Sequence, residues 1–265
     1  MELIDNHRAK QILIFRGETV MRFKIELALK KGQLPLEYRQ SVISLFKNSL
    51  AVFENGRHFA NYYEVGKEKP FTFSVRIPCS TFTKDVILVP NRKIDIIFST
   101  GDIVTGVVFF NALLMQKNKP YPLAYENAMS IKNILIEKEF AITTNTIDVM
   151  FKSPLCIRKH SKDDNKDTYY SYEKEGFNEN LNKVLESQIA NSNILPTSIL
   201  EGFSMMPVHC KKTVVRHHSQ FIEVTLGLFT LTGNVALLNY FYANGIGSRK
   251  SSGFGLIEIM RKEKL

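Results

Sequence analysis

From Met21 the chain alternates. Phe23, Ile25 and Leu27 fall on one face and Arg22, Lys24 and Glu26 on the other, the period of two that marks a half-buried strand. Pro35 opens a stretch of different period. Val42, Ile43, Leu45, Phe46 and Leu50 recur at the spacing of a helix with one buried stripe, predicted over 36–52. Alternation returns at 69–78 with Lys69-Pro70-Phe71-Thr72-Phe73-Ser74-Val75, and two further strands, 85–90 and 93–99, flank the turn-forming Pro90-Asn91-Arg92. Residues 102–116 read as a second helix and 134–140 as a strand. The order strand, helix, strand, strand, helix, strand is the split βαβ arrangement of ferredoxin-like domains. Ahead of it, residues 1–20 read as an extension, or as an extra strand through Gln11-Ile12-Leu13-Ile14-Phe15.

The second half repeats the order. Residues 148–158 are strand-like, and 160–172, rich in Lys, Asp and Tyr, read as an exposed hairpin tip or loop. A helix over 177–190 aligns Leu181, Val184, Leu185 and Ile189. Strands at 212–215 and 220–230 precede a helix at 234–243 that turns Leu237, Leu238 and Phe241 inward, and Leu256-Ile257-Glu258-Ile259 closes the unit as a strand. The chain therefore reads as an α+β protein of two tandem ferredoxin-like (RRM-like, βαββαβ) domains, 1–130 and 131–265. The connection between them carries Pro120 and Pro122.

Charge narrows the partner. The 265 residues carry a formal net charge of +9, which favours an anionic partner, nucleic acid first and a membrane surface second. From Met205 to Leu265 there are eight Lys/Arg against three Asp/Glu, and His209, His217 and His218 lie in the same span. Three scattered cysteines, Cys79, Cys156 and Cys210, argue against a disulfide scaffold or a zinc site and for a reducing cytoplasm. No run approaches the ~18 apolar residues of a membrane span, and no signal peptide is read at the N-terminus. A cytoplasmic protein without a membrane partner is expected.

The densest candidate chemistry is Gly245-Ile246-Gly247-Ser248-Arg249-Lys250-Ser251-Ser252-Gly253-Phe254-Gly255. Glycines allow close backbone approach and positive φ. Successive N–H groups in such a turn form an anion-binding concavity, to which Arg249 and Lys250 add charge. No Gly-Lys-Ser/Thr closes the stretch as a Walker A loop would, and Lys250 stands where a dinucleotide fingerprint has its third glycine. Gly245, Gly247, Ser248, Arg249, Lys250, Ser251, Gly253 and Gly255 are thus candidate contacts to a phosphodiester backbone. Lys211, Lys212, Arg216 and His217 are candidates on a neighbouring strand. His217 and His218 are adjacent, so on a strand at most one faces the ligand. The alternative for this segment is a basic edge strand that resists aggregation. Without carboxylate or thiolate companions the histidines carry only a weak metal signal, and no metal site is expected.

These residues give the chain a resemblance to the CRISPR repeat-processing endoribonucleases, which cut precursor CRISPR RNA within each repeat. The glycine stretch is similar to that family's C-terminal signature, Lys69-Pro70-Phe71-Thr72-Phe73-Ser74-Val75 to the segment after its first helix, and Phe151-Lys152-Ser153-Pro154-Leu155 to the opening of its second domain. With Arg22-Phe23-Lys24-Ile25-Glu26-Leu27, the likeness runs from about residue 21 to the end. It implies tandem ferredoxin-like domains and metal-independent, cofactor-free cleavage by the RNA's own 2′-hydroxyl, giving a 2′,3′-cyclic phosphate and a 5′-hydroxyl. It also implies CRISPR repeat RNA, precursor and mature guide, as partner, with a multi-subunit effector complex as a further partner and a monomer or homodimer as the working unit.

Many members of that family carry a histidine before the Lys-x-Phe-Thr segment. Here the spacing puts Tyr63 at that position and Lys69 at the family's lysine, while His58 is the nearest histidine. His58 as proton carrier, Tyr63 as hydrogen-bond donor or positioning group, and Lys69 as phosphate contact are the candidate catalytic residues. Each has a plainer alternative: a surface histidine at a helix start, a core aromatic, a solvated strand-entry lysine. Tyr38 and Ser44 on the first helix are weaker candidates. A non-catalytic RNA-holding member of the family and an unrelated RRM-like subunit of a ribonucleoprotein remain the rival readings.

Overall fold

The computed structural model describes residues 20–64, 69–161, 163 and 165–260; the alternation at 11–15 lies outside them. The chain forms two compact units that divide between Glu139 and Phe140.

The first unit runs β1 (Met21–Leu29), β2 (Gln33–Pro35), α1 (Tyr38–Val52), α2 (Phe59–Tyr63), β3 (Thr72–Arg76), β4 (Thr81–Phe82), β5 (Val86–Leu88), β6 (Lys93–Thr100), α3 (Ile103–Leu114), β7 (Pro120–Leu123) and β8 (Asn127–Ile136). The main sheet has the order β3-β6-β1-β8-β7, and all its pairings are antiparallel. Its first four strands have the ferredoxin-like order, and β7 adds a fifth at the edge. A second small sheet, β2-β5-β4, absorbs the short segments between.

The helices lie on the sheet because their stripes match it. Val42, Leu45, Phe46 and Leu50 of α1 are buried, and Phe46 meets Phe73, Phe98 and Phe109 edge-on at 5.3, 5.9 and 5.7 Å. Edge-to-face aromatic pairs add to the burial itself. Asp102 starts α3, its carboxylate accepting from the Val104 and Thr105 N–H groups at 3.2 Å each, an N-cap that satisfies two orphan donors.

The last strand of this unit differs from its expected place at 134–140. β8 begins at a buried asparagine: Asn127 Nδ2 donates to the Lys31 and Gln33 carbonyls at 3.2 and 2.7 Å. A polar residue does structural work where the pattern calls for an apolar one, so the strand starts earlier than its hydrophobicity suggests. A domain boundary at 130/131 would cut through β8, whereas the division of the two units falls after it.

The second unit runs β9 (Thr146–Phe151), β10 (Arg158–Ser161), β11 (Lys166–Tyr169), α4 (Phe177–Ser192), β12 (Ser204–His217), β13 (Gln220–Thr232), α5 (Val235–Asn244) and β14 (Ile257–Ile259). The sheet order β12-β13-β9-β14 repeats the arrangement of the first unit, confirming the α+β tandem reading. The hairpin expected at 160–172 is β10–β11. β12 and β13 are far longer than expected on the β12 side. Only Leu228–Thr232 of β13 pair with β9, so the rest of the hairpin runs past the sheet. Its inner face packs on a separate small core of Cys156, Tyr169, Ile222, Val224 and Phe254. An overhanging edge strand carries little apolar periodicity, which is why only 212–215 stood out.

Phe46→Ala should cost about 3–5 kcal/mol, since it empties the meeting point of several rings; a urea unfolding midpoint unchanged from wild type would disprove that role.

Candidate functional site

α2 is short, and two adjacent tyrosines divide its work. The buried Tyr62 donates its hydroxyl to Thr105 Oγ1 at 3.1 Å and meets the Phe109 ring edge-on at 5.0 Å, which fixes α2 against α3. Tyr63 then faces a different neighbourhood. Lys47 Nζ, from α1, stands 5.1 Å from the centroid of its ring, and Lys69 Nζ stands 5.6 Å from it. Both are within reach of a cation–π attraction. The Tyr63 hydroxyl is buried with no hydrogen-bond partner among the described residues, and burial pushes its ionisation far above the ordinary tyrosine value.

Lys69 enters this cluster from a stiff segment. Phe71 packs on the Phe98 and Phe109 rings at 5.1 and 4.8 Å, and its N–H donates to the Lys69 carbonyl at 2.9 Å. The Lys69 ammonium is held below the ordinary lysine pKa, first by burial and then by the charge of Lys47. Two cations sharing one ring, one of them partly desolvated, is the arrangement that shifts a lysine toward acid–base use. Lys47 escaped the sequence reading, although its place on α1 between the buried Phe46 and the exposed Asn48 put it on the helix surface.

The structure does not join His58 to this cluster through its own contacts. His58 Nε2 pairs with Glu54 Oε2 at 2.9 Å, the same oxygen that Arg57 Nε approaches at 2.8 Å. Its ring stacks on Phe53 at 5.7 Å. Ser44 Oγ shares a 2.6 Å hydrogen bond with the Tyr121 hydroxyl, and the Tyr38 ring carries the Arg39 guanidinium at 4.8 Å.

In the second unit the glycine stretch is packed rather than open. Gln188 of α4 clasps it, Nε2 donating to the Gly245 carbonyl at 2.9 Å and Oε1 accepting from the Gly247 N–H at 3.0 Å. The Ile246 N–H donates to Gly255 and the Gly255 N–H to Pro154, both at 2.9 Å; Ser248 N–H donates to Cys156 at 2.8 Å. Leu256 N–H donates to Ser153 Oγ at 2.9 Å, which gives the Ser-Pro segment its purpose. The expected concavity of outward N–H groups is therefore not what this stretch forms at these positions. Gly255, at φ +76, shows why glycine is required: a Cβ there would lie 2.1 Å from the Ile246 carbonyl oxygen. Gly245, Gly247, Gly253 and Gly255 are all buried, as is Lys250, only 6 % exposed, with its Nζ 6.0 Å from the centre of the Tyr240 ring. Ser248, Arg249 and Ser251 are half-buried.

Arg249 is held in a left-handed conformation, φ 58. Its Nη2 reaches Asp167 Oδ2 at 2.9 Å and the Tyr169 hydroxyl at 2.8 Å, and its Nη1 lies 3.4 Å from His217 Nε2. Asp167 also accepts from Arg158 Nη1 at 3.1 Å and meets His160 Nδ1 at 2.9 Å. Burial pushes the Asp167 carboxyl up, but the His160 hydrogen bond and the two guanidiniums outweigh it and hold the group below the usual carboxylate range.

Residues 135–259 match the family model for the C-terminal part of the CRISPR-associated protein Cas6. The second unit is thus similar to that family's C-terminal part. The chain's fold extends the likeness to both units. A Cas6-related protein of Pyrococcus furiosus superimposes with TM-score 0.78 at 20% identity, over 92% of this chain and 100% of the other. A second Cas6 protein gives 0.72 at 18%, over 91% and 100%. A RAMP protein described as binding different RNA substrates gives 0.73 at 19%, over 91% and 100%. At these identities the likeness is one of fold. No curated protein matches the chain.

On the second unit's edge strand β12, Lys211, Lys212 and Arg216 are exposed, while His217 is buried and its neighbour His218 is exposed. The buried His217 is lodged against Arg249 and the Phe254 ring at 5.4 Å, and the exposed His218 ring lies edge-on to it at 4.3 Å. Among the described residues no helix is long and apolar enough to cross a membrane, and no group of three His, Cys, Asp or Glu is placed to hold a metal ion.

Two expectations follow from this geometry. Tyr63→Phe removes a buried, unpartnered hydroxyl and should leave stability unchanged or raise it by up to about 1 kcal/mol; a clear loss in a urea titration would show that the hydroxyl has a partner. Gly255→Ala should cost more than about 3 kcal/mol, whereas Gly202→Ala, at φ +73 with nothing within 4 Å, should cost about 1–2 kcal/mol of backbone strain alone. Equal unfolding midpoints for the two variants would refute the packing account of the loop.

Proposed function

We propose that the protein binds CRISPR repeat RNA and cuts precursor CRISPR RNA within its repeats to release guide RNAs. The observation that carries this reading is the Lys47–Tyr63–Lys69 cluster, two ammonium groups on one tyrosine ring with Lys69 held below its ordinary pKa. It stands where the sequence resemblance implies catalytic residues. The Cas6 match and the shared fold support the substrate class.

The reaction is metal-independent transesterification. The 2′-oxygen bonds to the adjacent phosphorus as the bond from phosphorus to the 5′-oxygen breaks, leaving a 2′,3′-cyclic phosphate and a 5′-hydroxyl. Lys69 in its neutral form takes the proton of the 2′-hydroxyl and returns it to the departing 5′-oxygen. Lys47, exposed and cationic, stabilises the charge on the phosphorane. Tyr63 acts as a positioning residue: its ring holds the two amines, while its hydroxyl faces inward. His58, tied to Glu54, takes no proton in this scheme. In the second unit Arg249, Ser248 and Ser251, with Lys211, Lys212 and Arg216, hold the RNA backbone, whereas the glycines, Lys250 and His217 shape the loop that presents Arg249.

The test is cleavage of the bare repeat in EDTA with mapping of both product ends. Lys69→Ala should slow single-turnover cutting about 100-fold or more with little change in RNA affinity. Tyr63→Phe should cut nearly as wild type and Tyr63→Ala poorly. Full activity of Lys69→Ala, or dependence on His58 instead, would overturn the assignment. One observation favours a second reading, a member that holds guide RNA without cutting: a buried phenol occupies the position where the resemblance implies histidine. Tight repeat binding with no cleavage by the wild type would decide for it.

The pH dependence has a defined sign. A neutral Lys69 is required, so the rate should rise as pH passes upward through a pKa lower than that of ordinary lysine. Lys47→Ala removes one of the two causes of that depression, and the rise should move to higher pH. A profile that stays in place would show that the two lysines do not act on each other.

A further inference from the structure

The overhanging part of the β12–β13 hairpin has two faces of opposite character. Ile222 and Val224 point inward, against Cys156, Tyr169 and Phe254, with Val215 packed beside them, so the hairpin is anchored rather than adrift. On the outer face Arg216 lies directly across from Phe221 and Val214 from Glu223, since cross-strand partners share a face; farther along, the exposed Lys212 pairs with Thr225, which is buried and accepts from the Tyr172 N–H at 2.9 Å. Phe221 is 75 % exposed and Val214 53 %. Lys212 Nζ reaches Glu223 Oε1 at 3.8 Å. The turn residues His218 and Ser219 both have positive φ, 48 and 61, the geometry of a tight two-residue hairpin turn, which sets Phe221 close to the tip.

An exposed ring on a rigid strand calls for an explanation. The patch is one ring and one valine between cations, too small and too charged for the core of a protein interface, where lysine is depleted. It has the make-up of a single-stranded nucleic-acid platform, in which an aromatic face stacks a base and nearby cations meet the backbone. We propose that Phe221 is a base-stacking platform for the bound RNA, with Arg216 beside it, and Lys212 farther along the strand, on the phosphates. This deepens the RNA reading above and rests on it. Stacking of this kind tolerates any base, so the hairpin tip would hold RNA by its bases while leaving sequence choice to other contacts.

The chain contains no tryptophan, so Phe221→Trp installs a single reporter at the platform. The probes are a short single-stranded RNA and an abasic strand of equal length, with binding followed independently by the anisotropy of a label on the RNA. The expected results are quenched tryptophan emission with the normal strand only, and an affinity loss of roughly ten- to hundredfold for Phe221→Ala on that strand. RNA bound with unchanged emission and an unweakened Phe221→Ala overturns the platform while leaving the RNA reading intact. Failure of the wild type to bind either the probe or repeat RNA overturns both.

Discussion

Backbone that is buried must find partners for its peptide groups, and the second unit is organised around that requirement at the glycine stretch. Gln188 supplies one donor and one acceptor to Gly245 and Gly247, Ser153 an acceptor to Leu256, and the stretch closes on itself from Ile246 to Gly255. An unmet buried amide or carbonyl would cost on the order of 1–3 kcal/mol, so side chains far apart in sequence are committed to this one place. Side chains at Gly247 and Gly255 would collide with the carbonyls of Cys156 and Ile246. The glycines exist to let chains meet. The only strongly charged side chain the stretch partly exposes is that of Arg249, 23 % accessible and already aligned by Asp167 and Tyr169. Such alignment lowers the entropy lost when a guanidinium meets a phosphate, while requiring the phosphate to compete with a carboxylate.

The first unit solves a different electrostatic problem. Two ammonium groups repel, and a partly desolvated one loses hydration. The Tyr63 ring offsets part of this through its negative face, and α2 can hold that ring because Tyr62 anchors the helix to α3. The chemistry of the cluster thus depends on core packing one residue away, a division of labour between neighbours that point in opposite directions.

Much of the architecture was legible because it rests on periodicity. β1, α1, α3, α4 and α5 declare their buried faces in sequence, and two repeats of one order gave the tandem fold. Elements that rest on polar work were not legible. β8 starts at a hydrogen-bonding asparagine, β12 overhangs its sheet, and β2, β4, β5 and β7 are too short to show a period. The site divides likewise. The resemblance pointed to Tyr63 and Lys69 as candidates, but Lys47 meets them only through folding, since a surface lysine on a helix carries no local mark of its neighbours. The glycine stretch was read as an anion cradle because spacing reveals where φ is permissive, not which way the N–H groups point. Exposure of Phe221, one of 19 phenylalanines, was invisible for the same reason.

The second sheet has a consequence for how the chain reaches its native form. β9 sits between β13 and β14, and its Phe151 pairs with Ile257, while the Ser153 contact to Leu256 closes a separation of 103 residues. Such a strand has no local partner, so its pairing waits on loop closures whose entropy must be met before any contact rewards it. The first unit meets the same demand at β1, which sits between β6 and β8 and pairs Phe23 with Ile136, and the interval in which either central strand stands unpaired is when the protein is most open to association with another nascent copy.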